Sequence, residues 1–349
     1  MPQPPRPSIV DCLIIGAGPA GLTSALAFAR TLSTALVFDS SSYRNEGIAH
    51  MHTVPSRDHI DPYEFRAISR SQITSRYATV WFEDATVVQA RKKFLTLKSA
   101  HLGSREREYD GFEVEDSTGK TYQGRKLILA TGSQDVLPGI PGYAENWPSH
   151  IYQCLACDGF ELRGRPIGIL EFKSPMAQHF VFMAKNFSSS VTIFANGEVE
   201  KENEAVKKAL SVCKQWGVGL DERKITRMIR HGGGDDAPGG ITLEFETGGP
   251  VTLGFLVHKP PTVNRAGDLI MQLGVETAPA QMGGNVVVKD MFNETSVRGV
   301  FAAGDTMTPL KQVTVAMAEG LKAAAGVGKQ IGEEEALEAL RALEGAEGE

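Results

Sequence analysis

The sequence predicts an α/β protein with two units built around parallel sheets, one of them inserted into the other. Three observations lead to this prediction. Residues 8–39 read as strand, glycine turn, apolar helix and strand, and residues 165–197 repeat the strand–helix–strand order. Near the end of the chain, "GVFAAGDT" at residues 299–306 reads as a strand and a turn that lead into a long helix. Strands that alternate with helices in this way favour two dinucleotide-binding, Rossmann-like domains.

Proline- and glycine-rich stretches mark the predicted boundaries between these domains. The first is "VLPGIPG" at residues 136–142, and the second lies near Pro260. We therefore predict a first domain over residues 1–137 that resumes over residues 260–349, with the second domain inserted over residues 138–259. A chain of 349 residues is long enough to give each domain its own core.

The composition argues against several classes of partner. A formal net charge of -6 disfavours nucleic acid and anionic membrane surfaces. No stretch approaches the ~20 apolar residues that a membrane span needs. The proline-rich start lacks the pattern of a secretory signal, so we predict a cytoplasmic protein. Four cysteines are too few for a disulfide scaffold, and Cys12 and Cys213 are expected to be structural.

The first glycine turn has the pattern of a nucleotide-binding site. After the strand "DCLIIG", Gly16 permits a tight turn, Gly18 lets the backbone approach a pyrophosphate, and Gly21 allows the helix to pack closely on the strand. The helix N-terminus then offers N–H groups to phosphate oxygens. Asp39 ends the next strand, close to the ~20-residue spacing expected of an acid that binds a ribose hydroxyl. Together these residues predict a dinucleotide site.

Two further turns extend this pattern. "ATG" at residues 130–132 follows a buried strand, and "AAGD" at residues 302–305 supplies an aspartate for a ribityl or pyrophosphate oxygen. In this order the three motifs resemble the thioredoxin reductase family of two-domain flavoproteins, and the resemblance covers nearly the whole chain. It implies a homodimer that binds FAD, with adenine near Val88. The cofactor contacts that we predict are Gly16, Gly18, Pro19, Ala20, Gly21, Asp39, Arg44, His52, Val88, Ala130, Thr131, Gly132, Gly304, Asp305, Gln312 and Val313.

A second chemical motif is the pair Cys154 and Cys157 in "YQCLACDGFE". Two intervening residues bring the sulfurs within bonding reach where a helix begins, and a helix N-terminus lowers the pKa of a thiol. Such a pair exchanges with a substrate disulfide or dithiol. Half of a zinc site and two ordinary buried thiols are the alternatives. A zinc site needs further ligands, and no second Cys-x-x-Cys or His-x3-His follows, so we predict a redox pair and no metal site.

The resemblance to the thioredoxin reductases continues beyond the cysteines. Asp158, Gly159 and Phe160 match the Asp-Gly-Phe that follows the redox pair in the low-molecular-weight type. The resemblance implies that Cys157 faces the isoalloxazine, that Cys154 meets the substrate and that Asp158 is a catalytic acid/base. For Asp158 the alternative is a helix-start carboxylate that only accepts N–H hydrogen bonds.

The second nucleotide site departs from the family pattern. A pyridine-nucleotide domain would place glycines after "RGRPIGIL", but the chain continues "EFKSPMAQHF". Glu171 adds a negative charge and Phe172 adds bulk where a phosphate would have to bind. After the next strand, Asn196, Gly197 and Glu198 supply no arginine for a 2′-phosphate. The sequence therefore predicts that a nicotinamide is not the electron donor.

Without that donor, a substrate dithiol is the simplest source of electrons and O2 the simplest acceptor. We predict an FAD-dependent dithiol oxidase that closes a disulfide in a small molecule and releases H2O2. "RNEGIAHMHTVPSRDH", "NWPSHIYQC" and "FANG" resemble the dithiol oxidase branch exemplified by gliotoxin sulfhydryl oxidase, which implies a dithiol diketopiperazine substrate and a place in secondary metabolism. Many members of that branch have His at the position of Asp158, so the identity of the base stays open. The alternatives are a disulfide reductase with an unusual electron donor and a flavin-bound redox sensor without turnover.

Histidines near these motifs complete the set of candidates. His50, His52 and His150 lie in segments expected near flavin or substrate, where a neutral imidazole can accept a thiol proton. A surface or capping role is the alternative for each, and His150 is the one that we place among the catalytic residues. Arg44 either contacts cofactor phosphates or is solvated, and His258 is expected to pack at the domain junction.

Overall fold

The computed structural model describes residues 4–98, 106–199, 203–232 and 239–347, and these form two compact units. The first unit holds the chain up to Glu46, Pro62–Asp135 and the chain from Thr262 onward, and the second holds Gly47–Asp61 and Val136–Pro261. The predicted boundaries lie within two residues of the changes after Asp135 and before Thr262. Residues 47–61, which we predicted to lie in the first domain, belong to the second unit.

The first part of the first unit alternates strands and helices and then becomes a run of strands. Its elements are β1 (Ile9–Ile15), α1 (Pro19–Arg30), β2 (Ala35–Phe38), α2 (Pro62–Arg76), β3 (Val80–Glu83), β4 (Val87–Lys98), β5 (Glu106–Asp116), β6 (Thr121–Leu129) and β7 (Ser133–Asp135).

The second unit begins with short elements around the cysteine pair and continues with a strand–helix alternation and three antiparallel strands. Its elements are α3 (Tyr143–Asn146), β8 (Ile151–Tyr152), α4 (Leu155–Asp158), β9 (Ile167–Leu170), α5 (Ala177–Phe187), β10 (Val191–Phe194), α6 (Glu204–Gln215), β11 (Gly219–Asp221), β12 (Ile225–His231), β13 (Gly240–Phe245), β14 (Val251–Leu253) and β15 (Phe255–Val257).

The chain then returns to the first unit and ends in its longest described helix. The last elements are β16 (Thr262–Asn264), α7 (Gly267–Leu273), β17 (Val300–Ala302) and α8 (Val313–Glu347). The long helix that we predicted after the turn at residues 299–306 is α8.

One sheet organises the first unit, in the order β3-β2-β1-β6-β5-β4, with β17 also paired to β6. β1 pairs in parallel with β2 and β6, whereas β4, β5 and β6 form an antiparallel meander. β6 accommodates three partners because β5 pairs with its first residues, 121–124, and β17 with its last, 127–129. The carboxyl ends of β1, β6 and β17 therefore meet at one edge, where the three predicted turns begin.

The second unit contains a five-stranded parallel sheet in the order β11-β10-β9-β15-β8, and a separate antiparallel sheet in the order β12-β13-β14. β9 is the centre of the parallel sheet and is buried along its whole length, as expected for a strand with both faces covered. The predicted α/β fold with two Rossmann-like units is confirmed. In the described residues, no helix combines the length and apolar character that crossing a bilayer requires.

Candidate active site

The turn after β1 forms the cradle that the glycine pattern predicts. Gly16 has a φ of 110°, and a Cβ there would collide with the carbonyl oxygen of Ala130. A Cβ on Gly21 would collide with the carbonyl oxygen of Gly16, so both glycines are needed for close packing. Gly18 differs, because a Cβ on it would meet no atom within 4 Å. The open side of the turn therefore lies at Gly18, where α1 begins with Pro19 and without a side-chain cap.

Asp39 directly follows β2, at the end of the strand as predicted, but its carboxylate already has partners. It is 9% exposed, it accepts a hydrogen bond from the N–H of Ser41 at 2.9 Å, and it accepts the hydroxyl of Tyr43 at 2.6 and 2.7 Å. Burial and this hydrogen bond to Asp39 both raise the pKa of Tyr43. A ribose hydroxyl bound by Asp39 would share the carboxylate with Tyr43, a residue that the sequence analysis did not select.

The other two turns of the first unit are tied to each other. The N–H of Gly132 donates to the hydroxyl of Thr306 at 2.8 Å, and the N–H of Ala130 donates to the carbonyl of Ile15 at 2.9 Å. Gly304 has a φ of 67°, and a Cβ there would stand 3.0 Å from the Cβ of Ala20. The ATG, AAGD and GxGPAG motifs therefore meet in one unit.

Two carboxylates hold Arg44 beside these turns. Its Nη2 lies 2.7 Å from Asp135 and its Nη1 lies 3.4 Å from Asp305, and its side chain is 14% exposed. Arg44 is therefore not a solvated surface arginine. Burial raises the pKa of Asp305, against the opposing effect of Arg44 and of Lys311, whose Nζ donates to the Asp305 carbonyl at 3.0 Å. The sequence analysis missed Asp135 and Lys311, since neither belongs to a recognised motif.

The other predicted cofactor contacts lie outside the three turns. Gln312 and Val313 stand at the start of α8, and the carbonyl of Gln312 accepts the N–H of Ala316. Val88 is 42% exposed and lies at a register shift of β4, where adenine contact stays a prediction. His52 lies in the second unit, whose geometry is described below.

The predicted cysteine pair is a disulfide in the second unit. Cys154 and Cys157 are bonded, with their Cα atoms 5.2 Å apart, and Cys154 caps the four-residue helix α4. The N–H groups of Cys157 and Asp158 both point to the carbonyl of Cys154, at 3.2 and 3.1 Å. The two other cysteines, Cys12 and Cys213, are buried thiols, as predicted.

Asp158 has the protonation behaviour of an acid/base group. Burial, and secondly the negative charge of Glu161, raise its pKa from an ordinary 3.8 to about 7. The carboxylate therefore gains and loses its proton near neutral pH. Asp158 is the last residue of the four-residue helix α4 and therefore also lies in its first turn, so its place in the helix fits both interpretations and its catalytic role stays a prediction.

His150 is buried at 6% exposure, and its surroundings favour a neutral ring. Burial, followed by the charges of Arg230, Arg165 and His231, lowers its pKa. Its Nδ1 has no hydrogen-bond partner among the described residues. Two of the residues that lower its pKa, Arg230 and His231, lie on β12. Its catalytic role stays a prediction.

The turn after β9 contains a charged network in place of glycines. Glu171 has a φ of 66°, and its carboxylate lies 2.8 Å from Lys173 and 3.7 Å from Nε2 of His258. His258 and Lys173 lower the pKa of Glu171 to about 2. His258 in turn shares a 2.7 Å hydrogen bond with the hydroxyl of Tyr143, which is fully buried. The predicted negative charge is therefore present and held by its neighbours.

Phe172 differs from the prediction. Its side chain is 2% exposed and packs in the core of the parallel sheet with Ile169 and Val181, so it does not stand in the turn as bulk. After β10, Asn196 has a φ of 58° and its amide oxygen accepts the N–H of Ile225. One cation that the sequence analysis overlooked reaches this point: Nζ of Lys224 lies 3.4 Å from the Asn196 carbonyl.

The fold and the paired motifs define an FAD-dependent disulfide oxidoreductase. A sequence profile described as pyridine nucleotide-disulphide oxidoreductase matches residues 10–182. The chain is 39% identical to "Thioredoxin reductase sirT" of Leptosphaeria maculans, over 93% of this chain and 95% of that protein. It is 41% identical to "Thioredoxin reductase tcpT" of Claviceps purpurea, over 90% of this chain and 91% of that protein.

Solved structures agree with these relatives. An oxidoreductase from Agrobacterium tumefaciens is 30% identical with a TM-score of 0.77, over 93% of this chain and 98% of that one. A crystal structure of HlmI is 27% identical with a TM-score of 0.80, over 98% of both chains. The chain belongs to the thioredoxin reductase-like FAD flavoproteins and is an oxidoreductase acting on sulfur. The open turn at Gly18, the uncapped start of α1 and the polar groups of Asp39 and Asp305 fit FAD.

Proposed function

We propose that this flavoprotein is a dithiol oxidase: it oxidises a small-molecule dithiol to a disulfide and reduces O2 to H2O2. The observation that carries the proposal is the turn after β9. Pyrophosphate binding requires open backbone N–H groups beside small residues. Here the turn holds Glu171, whose carboxylate stays ionised because Lys173 and His258 keep its pKa at about 2. The turn therefore offers an ion pair of side chains in place of the glycine backbone that the phosphates of NADPH would need.

Electrons then enter through sulfur. A substrate thiolate attacks one sulfur of the Cys154–Cys157 disulfide, which forms a mixed disulfide and releases the other cysteine as a thiolate that takes up the proton lost by the substrate thiol. The second substrate thiolate attacks the substrate sulfur of that mixed disulfide. The substrate leaves as a cyclic disulfide, having lost two electrons and two protons, and both cysteines are reduced. By resemblance to the dithiol oxidase branch, the substrate is a dithiol diketopiperazine.

Asp158 supplies the proton acceptor for these steps. With a pKa of about 7, it is partly ionised at neutral pH and can take the proton of a thiol. His150, which its surroundings keep neutral, is the second candidate base. FAD supplies a two-electron acceptor for the reduced cysteine pair and a means of passing those electrons to O2. Its predicted protein contacts are the three turns of the first unit, with Asp39, Arg44 and Asp305.

The test is anaerobic reduction of the purified FAD-loaded protein. We expect a small dithiol to bleach the visible absorbance of the flavin, and air to restore it with one H2O2 per dithiol oxidised. NADPH and NADH at equal concentration should bleach it at least about 100 times more slowly. The Cys154→Ser and Cys157→Ser variants should retain FAD but lose reduction by the dithiol. Rapid bleaching of the wild type by NADPH would contradict the proposal.

A thioredoxin disulfide reductase with another electron donor is the second candidate function. The names of the relatives from L. maculans and C. purpurea favour it, since both are called thioredoxin reductases. Reduced thioredoxin in the same anaerobic assay separates the two functions. A reductase should exchange electrons with thioredoxin faster than with a small dithiol, whereas a dithiol oxidase should show the opposite order. Repeated H2O2-releasing turnovers would also exclude a redox sensor without turnover.

A further inference from the structure

Two histidines and one glutamate converge in the second unit, and the proposed reaction assigns no metal-binding role to any of them. Nε2 of His52 lies 3.2 Å from Nδ1 of His59. One carboxylate oxygen of Glu161 lies 3.8 Å from the same His52 nitrogen and 4.0 Å from the same His59 nitrogen. The three atoms therefore form a compact triangle with two imidazole donors and one carboxylate donor.

The backbone of residues 50–60 holds the two imidazoles together. Met51 and Ile60 form an isolated antiparallel bridge, which brings their chain neighbours His52 and His59 close together. The ring of His50 stacks on that of His59, with 3.9 Å between centroids and 12° between planes. Glu161 approaches from the turn that follows α4. His52, His59 and Glu161 thus lie close together, and His50 packs against the ring of His59.

The triangle has the size of a transition-metal site. The circle through three atoms separated by 3.2, 3.8 and 4.0 Å has a radius of about 2.1 Å, which is the distance that Zn²⁺ prefers to imidazole nitrogen and carboxylate oxygen. Two imidazoles select a borderline transition metal over Mg²⁺ or Ca²⁺, which prefer oxygen ligands alone. The side chains of His59 and Glu161 are 55% and 40% exposed, so an ion can reach them from solvent.

We propose that His52, His59 and Glu161 form a binding site for one divalent transition-metal cation of the zinc class. With three protein ligands the ion keeps one open position, available to water or to an anionic sulfur ligand. This proposal departs from the absence of a metal predicted from sequence, because we searched there for Cys-x-x-Cys and His-x3-His spacings and not for two histidines seven residues apart with a glutamate far along the chain. It does not rest on the proposed dithiol oxidase activity.

The test is calorimetric titration of Zn²⁺ into the metal-stripped, FAD-loaded protein without substrate. Keeping the Cys154–Cys157 disulfide closed removes two rival thiolate ligands. We expect one Zn²⁺ per chain for the wild type. His59→Asn and Glu161→Gln should each weaken binding at least about tenfold. Asparagine is chosen because residue 59 has a φ of 62°, which Asn tolerates. His179→Gln, at an exposed histidine of α5, is the matched control and should bind as the wild type does.

Two results would overturn the proposal. One is a wild-type chain that takes up no Zn²⁺ in stoichiometric amount, in which case the imidazole pair is only a hydrogen bond. The other is unchanged Zn²⁺ affinity in both His59→Asn and Glu161→Gln. The flavin absorbance of each variant reports whether it is folded, and Glu161→Gln alone decides the question if His59→Asn fails to fold. Failure of zinc binding would leave the anaerobic dithiol assay unaffected, so the two proposals are tested separately.

Discussion

The turn after β1 and the turn after β9 occupy the same position in two strand–helix–strand units, yet they differ in length and in chemistry. Three residues, Gly16 to Gly18, separate β1 from α1, whereas six residues, Glu171 to Met176, separate β9 from α5. The first turn consists of two glycines and the small, buried Ala17, and its helix begins beside the strand. The second places an ionised carboxylate and a longer loop there. The strand–helix–strand fold therefore does not by itself make a nucleotide site; the residues of the turn do.

The largest effect is expected from a substitution that disturbs the packing of the turn after β1. In Gly21→Ala the new Cβ collides with the Gly16 carbonyl, so we expect the chain to lose bound FAD and at least about 2 kcal/mol of the free energy of unfolding. FAD content and urea denaturation measure both. Gly332→Ala is the control: it lies in α8 with no atom within 4 Å of the added Cβ, and it should gain about 0.5–1 kcal/mol. Full FAD content in Gly21→Ala would contradict this account of the turn.

The next largest effect is expected in the second unit, from replacing the proposed base Asp158. Asp158→Asn should slow reduction of the flavin by a dithiol about 100-fold and remove the rise of that rate around pH 7. Because the folded state raises the pKa of Asp158, its ionisation costs stability as pH increases from about 4 to about 7. The neutral Asn variant should therefore be more stable than the wild type at pH 8, by about 1–3 kcal/mol.

Stopped-flow absorbance and urea denaturation measure these two changes. A residue with a structural role alone would lower stability when replaced, so a slower but more stable variant identifies a functional group. Asp268→Asn, at an exposed aspartate of the first unit, should change neither quantity. An unchanged pH profile in Asp158→Asn would transfer the role of base to another group.

The smallest effect concerns the charge that occupies the second turn. The folded state lowers the pKa of Glu171 to about 2, so its stabilising contribution is complete above about pH 5 and disappears as pH falls toward 2. Glu171→Gln should be about 1–2 kcal/mol less stable than the wild type at pH 7, after allowing for solvent screening, and this difference should shrink near pH 3. Urea denaturation at both pH values is the measurement. Glu145→Gln, at an exposed glutamate of α3, should show no such pH dependence.

Much of the fold could be predicted because its signals are local. The strand, the glycine spacing and the helix of residues 9–30 are read from consecutive residues, and so is the helical turn that starts after Cys154. The grouping of residues 47–61 with the second unit could not be predicted, because it depends on the Met51–Ile60 bridge and on contact with Glu161, far along the chain.

In the candidate site, too, some properties could be predicted from the sequence and others depend on the fold. Cys154, Cys157 and Asp158 carry their chemistry in a short motif, although the motif gives no value for the pKa of Asp158. That value arises from burial and from Glu161. Arg44 was undecided between phosphate contact and solvent, and its position between Asp135 and Asp305 depends on segments separated by 91 and 261 residues. Phe172 was assigned to the turn because its sequence neighbour is there, but packing placed it in the core.

By itself, the sequence determined the two Rossmann-like units, the FAD motifs, the cysteine pair and the loss of glycines after β9, because each depends on backbone freedom or on residue type at close spacing. Only the tertiary structure decided which charges are buried or paired: Arg44 between two carboxylates, Glu171 against Lys173 and His258, and Glu161 beside two histidines. Proton affinity and ligand geometry depend on desolvation and on distances between residues far apart in the chain, and these quantities are fixed only when the chain folds.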